Sequence, residues 1–201
     1  MERIDLPEGW EWRELERVAP IDLDTVKPQN NPDELFNYIA LENLESETGR
    51  LLSFKQTPGR LIKSNKFKFD NRHVLLGKLR PYLIKVFIPE FEGICSTDIL
   101  PLLPVPNALL REYLGYYLRS ENFKSYSTLL MEGTKMPRLR TGDIEAFTIP
   151  VPPLVEQRRI VVRIEELVKK VEEAKKLLHE AQEEITIFIP ALLSKAFRGE
   201  L

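Results

Sequence analysis

Polar and apolar positions alternate in two distinct ways along this chain. Up to about Val151 the apolar residues fall in short runs broken by turn chemistry, with Thr57-Pro58-Gly59, Arg80-Pro81, Pro89 and Gly93 as the punctuation. The runs predict strands over Phe36 to Leu41, His73 to Leu79, Tyr82 to Ile88, Ile94 to Leu103 and Phe147 to Val151. A helical insert lies among them. Asn107 is placed to cap a helix whose Leu110, Tyr113, Leu114, Tyr117 and Leu118 share one face, and Ser120 to cap a shorter one through Phe123 and Tyr126. The expectation is an α+β domain with a mixed or antiparallel sheet over residues 1–151.

From residue 152 the period changes. Ile160, Ile164, Leu167, Val171, Ala174, Leu178, Ala181, Ile185, Phe188 and Leu192 recur in alternating steps of four and three, a heptad seam. Proline suits the first position of a helix and Glu156 adds negative charge at its positive end, so the helix is expected to start at Pro153. Pro190 is expected to stop it near Ile189, leaving a rod of roughly 50–55 Å and a short terminal helix. Glu165-Glu166, Lys169-Lys170, Glu172-Glu173 and Lys175-Lys176 border the seam. A narrow stripe on so long a helix suits one partner helix, and the chain has no other of that length. The expected partner is a second copy, with Ile160 through Phe188 of the ladder as the interface.

Charge alters this picture more than composition does. The net charge of −2 averages two opposed blocks. Between Glu2 and Glu47, acidic residues outnumber Arg3, Arg13, Arg17 and Lys27 about three to one. From Arg50 to Lys85 only Asp70 opposes Arg50, Lys55, Arg60, Lys63, Lys66, Lys68, Arg72, Lys78, Arg80 and Lys85, with Phe54, Phe67, Phe69 and Tyr82 interleaved. That block, with the basic loop Gly133 to Arg140, is the footprint of a polyanion-binding face, its plainer alternative being a solvated hairpin surface. The single cysteine, Cys95, excludes an internal disulfide, no apolar run is long enough to span a bilayer, and the start of the chain is too polar for a secretory signal. The expected compartment is the cytoplasm.

Enzymatic and metal chemistry find little support. None of the nine glycines stands two residues from another, so there is no GxG loop for a nucleotide cofactor, and no P-loop lysine occurs. Asn31-Pro32-Asp33 lacks the second proline and aromatic of an adenine methyltransferase motif, and the only ExK, Glu173-Ala174-Lys175, falls on the rod. Cys95 in an apolar strand reads as inert packing, and two distant histidines, His73 and His179, with one cysteine supply no metal cluster. Trp10 and Trp12 read as a pair of core anchors. No catalytic residue, metal site or cofactor is expected.

The segments LPEGWEWREL, YIALENLE, LLGKLRPYLIKV, CSTDILPL, EGTKMPRLRTGDIEAFTIPVPPLVEQRRIVVRIEEL and ALLSKAFRGEL, in that order, resemble the specificity subunit of type I restriction-modification systems. The resemblance covers essentially the whole chain. It implies a target-recognition domain that reads a few base pairs of double-stranded DNA, joined to a helical spacer that docks methyltransferase subunits, with restriction subunits as further partners. Members of the family typically carry two recognition domains and two rods. This chain has one of each and so looks like a half-size subunit that pairs antiparallel with a second copy. Base readout needs polar side chains on a rigid scaffold. The candidates are Lys63, Ser64, Asn65, Lys66, Lys68, Arg72, Lys78, Arg80, Thr134, Lys135, Arg138 and Arg140, with lysines favoured on phosphates and arginines on guanine edges. Arg80 has an equal claim to a structural role, pairing with a carboxylate such as Asp98. The alternative from another class is a dimeric coiled-coil scaffold whose basic face binds an acidic protein.

Overall fold

The computed structural model describes residues 5–132 and 135–200. The chain divides by its internal contacts into a first unit, Met1–Arg158, and a second, Arg159–Leu201. The first is α+β, as the alternation predicts. Its strands, in chain order, are β1 (Glu11–Glu14), β2 (Thr25–Val26), β3 (Leu35–Phe36), β4 (Tyr38–Ile39), β5 (Thr57–Pro58), β6 (Lys66–Phe69), β7 (Val74–Gly77), β8 (Val86–Phe87), β9 (Gly93–Cys95), β10 (Ile99–Leu102) and β11 (Thr148–Val151). Four short helices, α1 (Leu15–Val18), α2 (Arg111–Tyr117), α3 (Glu121–Leu130) and α4 (Thr141–Glu145), accompany them.

The strands form small sheets ordered β10-β7-β8 and β2-β6-β9-β4, with the pairs β1-β11 and β3-β5 beside them. All pairings are antiparallel except β4 with β9. Every residue of β7 and β10 is buried, which explains their near-continuous apolar spelling. One core gathers Ile39, Leu44, Phe69, Leu75, Phe87, Cys95 and Ile99. A second aromatic cluster packs Tyr117, Phe123 and Tyr126 of the helical insert around Phe147, just before β11.

Several expectations need correction. The Tyr82 to Ile88 run is strand only at β8; Pro81–Leu83 is a 3-10 turn bracketed by Arg80 at φ 52° and Ile84 at φ 44°. Left-handed backbone in a β-branched residue costs about 1–3 kcal/mol, held here by the buried packing of Ile84. The helix attributed to an Asn107 cap starts instead at Arg111, because Asn107 is itself left-handed and belongs to the preceding turn. Ser120 does precede α3, but its side chain makes no cap bond. Trp10 and Trp12 are half-buried and are not core anchors. Trp12 lies on β1, which pairs with β11 alone, and an indole with its polar N–H tolerates that partly wet position.

The long helix α5 runs Leu154–Phe197. Pro153 is its entry residue, its carbonyl accepting from Glu156 and Gln157 N–H. The expected stop at Pro190 does not occur, and the separate terminal helix merges into α5. A proline inside a helix removes a single backbone donor at a cost of about 3 kcal/mol, and a ladder continuing on both sides carries the break. In the second unit Leu167, Val171, Leu178, Ile185, Phe188 and Leu192 are exposed, so the apolar seam is uncovered in the single chain. No helix among the described residues is long and apolar enough to cross a membrane.

Candidate nucleic-acid interface

Strand register sorts the candidate residues by position. Phe67 faces Cys95 and Phe69 faces Gly93 across the β6–β9 pair, so the 63–65 loop and the Ser96–Asp98 turn leave the same end of that sheet. Ile99 faces Gly77 across β10–β7, which brings Lys78 beside Asp98; the Lys78 N–H donates to the Asp98 carbonyl at 2.9 Å. Beyond that point the ladder continues without being regular strand. Leu139 N–H donates to the Lys78 carbonyl at 3.0 Å and Arg80 N–H to the Pro137 carbonyl at 2.7 Å. Glu132 and Arg138 exchange both backbone bonds, at 2.8 and 2.9 Å. Four backbone segments, around Asp98, Lys78 to Arg80, Pro137 to Leu139 and Glu132, are thus zipped into one edge, as rigid as loops of this kind become.

On that edge lies an open groove of about 740 Å³ lined by Lys78, Thr97, Asp98, Glu132, Arg138, Leu139, Arg140 and Thr141. Two guanidinium groups sit in it against carboxylates. Arg140 grips Glu132 with two bonds, Nε to Oε2 at 2.8 Å and an Nη nitrogen to Oε1 at 2.6 Å. Arg138 lies 3.5 Å from an oxygen of Asp98. Asp98 therefore has Arg138 as its partner and not Arg80. Arg80 is exposed beside a smaller groove with Leu41, Glu42, Leu79, Leu83, Lys85 and Met136. Among the described residues the charged ends of Lys63, Lys78, Arg80 and Lys135 pair with no carboxylate, leaving them available to an anion. The groove thus combines the unpaired ammonium of Lys78, the Arg140 guanidinium held by two bonds, the Arg138 guanidinium beside Asp98, and the hydroxyls of Thr97 and Thr141, donors that suit a nucleic acid.

Other candidates lie elsewhere or face inward. Lys66 is buried, its ammonium held by the carbonyls of Lys63 and Asn65 and by the Ser64 hydroxyl, and it lies over the Tyr38 ring. Burial pushes its pKa down. Lys66 organises the loop that displays Lys63, Ser64 and Asn65, all exposed, with Ser64 at φ 62°. Lys68 pairs with Asp24 at 3.0 Å midway along β6. Arg72 lies past the other end of β6, away from the groove, clamped on Asp70. There the Arg72 guanidinium holds the Asp70 carboxyl down at about 2, and buried His73 bridges Asp70 and Asp22 at 2.9 and 3.2 Å. Thr134 lies outside the described residues. Thr97, Glu132 and Thr141 were not among the sequence candidates, and Asp98 was named only as a partner for Arg80. Their signal was adjacency to the basic loop and to the SerThrAsp turn after Cys95.

No group of three or more His, Cys, Asp or Glu able to hold a metal occurs among the described residues. The Cys95 thiol is fully buried and pushed up to about 12 by burial, which is the environment of an inert thiol.

The chain thus has a mixed sheet domain with a cation-bearing groove and a long helix with an exposed heptad seam. Residues 7–183 match the type I restriction modification DNA specificity domain, and the chain belongs to that family. It is 29% identical over 196 residues to the type I restriction enzyme EcoDI specificity subunit of Escherichia coli, covering 98% of this chain and 43% of that protein. The EcoAI specificity subunit of the same organism is 25% identical, over 82% of this chain and 29% of its own length. Among solved structures, the HsdS subunit of Thermoanaerobacter tengcongensis superposes with a TM-score of 0.82 at 29% identity, covering 96% of this chain and 51% of that one. A chain from a study of type I R-M complex assembly and conformational transition gives a TM-score of 0.85 at the same identity and coverage. The chain covers between 29% and 51% of the length of these relatives.

Proposed function

We propose that this protein is a non-catalytic DNA-specificity subunit of a type I restriction-modification system. The domain reads one half of a bipartite site, and α5 pairs antiparallel with α5 of a second copy. The assembled pair docks methyltransferase and restriction subunits, in which the chemistry resides. The observation that carries the DNA reading is the groove where Lys78, Arg138 and Arg140 converge on one hydrogen-bonded edge. The exposed seam from Leu167 to Leu192 supports pairing, since an apolar stripe of that length is a poor free surface. Antiparallel pairing is favoured because parallel helices would crowd both recognition domains at one end. Two identical domains related by a two-fold axis present the same surface to opposite strands, so the site is expected to be palindromic as well as bipartite. The scaffold alternative is not favoured, because family membership already accounts for the basic face. The test is binding of the chain, assembled with its methyltransferase subunits, to duplex DNA across a salt titration of about 50–300 mM. Affinity should fall steeply with salt and rise by about 10³-fold or more on one bipartite sequence. Salt-insensitive binding, or none, would overturn the assignment.

A further inference from the structure

The two carboxylates in the groove are at odds with plain DNA affinity. Asp98 and Glu132 put negative charge where a polyanion is to dock, and each occupies an arginine otherwise free to take a phosphate. Stability does not explain them. Arg138, Arg140 and Glu132 are exposed, at 54%, 70% and 55%, and Asp98 is partly so, at 31%; pairs this wet add at most about 1 kcal/mol to a fold. The backbone bonds that close the edge, between Glu132 and Arg138 and between Lys78 and Asp98, involve no side chain. What the carboxylates do accomplish is geometric: Glu132 holds both the Nε and Nη faces of Arg140, and Asp98 sets a carboxylate oxygen 3.5 Å from an Nη nitrogen of Arg138 on the groove that Lys78 also lines.

Major-groove chemistry supplies a use for that geometry. Guanine offers two acceptors that match a guanidinium fork, while its partner cytosine offers an amino donor that a carboxylate accepts. A guanidinium and a carboxylate fixed side by side therefore match both edges of a G·C pair, or of neighbouring pairs containing one. Against a phosphate, the same carboxylate is repelled, and its arginine stays neutralised.

We propose that Asp98 and Glu132 are specificity-determining residues: paired with Arg138 and Arg140, they suppress binding to generic DNA and commit the groove to a G·C-containing subsite in each half-site. This inference rests on the reading of the protein as a DNA-specificity subunit. The carboxylates serve as the selective element and the arginines as the attractive one, so specificity comes from penalising the wrong sequence as much as from rewarding the right one.

The experiment compares Asp98→Asn, Glu132→Gln and Lys78→Ala with the parent chain, each assembled with its methyltransferase subunits. Two quantities are read: affinity for a random duplex, and base preference from selection on a randomised duplex library. Asn and Gln keep the shape of the parent side chains, Glu132 exposed and Asp98 partly so, and circular dichroism verifies that each variant folds. Either carboxamide variant should bind random DNA about 3- to 10-fold more tightly and lose about 5- to 100-fold of discrimination at one G·C position per half-site. Lys78→Ala should weaken binding to all sequences alike. If Lys78→Ala weakens binding while both carboxamide variants keep the parent's generic affinity and base preference, this inference fails and the DNA reading stands. If none of the three changes DNA binding, the groove is not the DNA face and both fail. A selected half-site without any G·C pair contradicts the inference alone.

Discussion

Gln157 offers a sharp test of how the domain is held together at the root of α5. Its side chain is fully buried and uses all three of the bonds its surroundings offer. Oε1 accepts from Leu110 N–H at 2.8 Å, and Nε2 donates to the carbonyls of Ala108 at 2.9 Å and Pro152 at 2.8 Å. The amide thus ties the entry of α2 to the strand-to-helix junction after β11. Gln157→Ala removes a donor and an acceptor at once, leaving one N–H and two carbonyls to find water. An unsatisfied buried group costs about 1–3 kcal/mol. Because Leu110 and Ala108 are only partly buried, water recovers part of that, and the net loss is set at about 2–4 kcal/mol. For a chain of this size that is a fall in Tm of about 5–15 °C. Gln157→Glu should be at least as damaging, since a carboxylate still accepts from Leu110 but faces two carbonyls with no donor. Urea titration with the m-value checked for constancy reads both variants. A loss below about 0.5 kcal/mol for Gln157→Ala would refute the reasoning, because it would mean the three bonds are made equally well by solvent.

The remaining predictions concern assembly, charge and acid. Changing Leu167 and Leu178 to Asp places charge in the seam and should convert the proposed dimer to monomer in sedimentation velocity, whereas a dimer that persists would move the interface elsewhere. Replacing Lys63 and Lys135 with Ala should lower affinity for every sequence and make the dependence of log affinity on log salt shallower by about 0.9 for each phosphate no longer neutralised. An unchanged salt slope would place both lysines off the DNA. Asp70, ordinarily at 3.8 and held at about 2 by Arg72, contributes stability that is complete above its unfolded value and is lost as pH falls toward 2. Asp70→Asn should therefore be less stable than the parent at about pH 6 and show a flatter decline between about pH 4 and 2, read from urea midpoints; parallel curves would deny the coupling.

Much of the architecture was legible because local pattern and tertiary outcome agree. The heptad ladder spelled α5, and the apolar runs over β7 and β10 spelled buried strands. Pro190 misled because its cost is fixed while the ladder around it is long. The Tyr82 to Ile88 run misled because its start is a 3-10 turn, Pro81–Leu83, opened by a left-handed Arg80 where a residue before proline ordinarily stays extended. Here the Arg80 N–H is drawn to Pro137, far along the chain, and φ goes to 52°. The candidate site was legible as a composition and not as a geometry. Lys66 and Arg72 look in sequence like Lys63 and Lys78, but the fate of each cation is decided by a loop conformation at Ser64 or a carboxylate at Asp70. Asp98 and Arg138 stand forty positions apart, and only the backbone ladder through Lys78 unites them.

The proposal that two copies of the DNA-reading domain are set apart by α5 is tested most directly by mapping methylated sites in cells carrying this protein with its methyltransferase. The parent should mark a palindromic, bipartite sequence. A chain lacking one heptad, Val171 to Leu177, keeps the seam in register and shortens α5 by about 10 Å, equivalent to about three base pairs. It should mark the same half-sites across a shorter gap. An asymmetric parent motif, or a gap indifferent to the length of α5, would contradict the account.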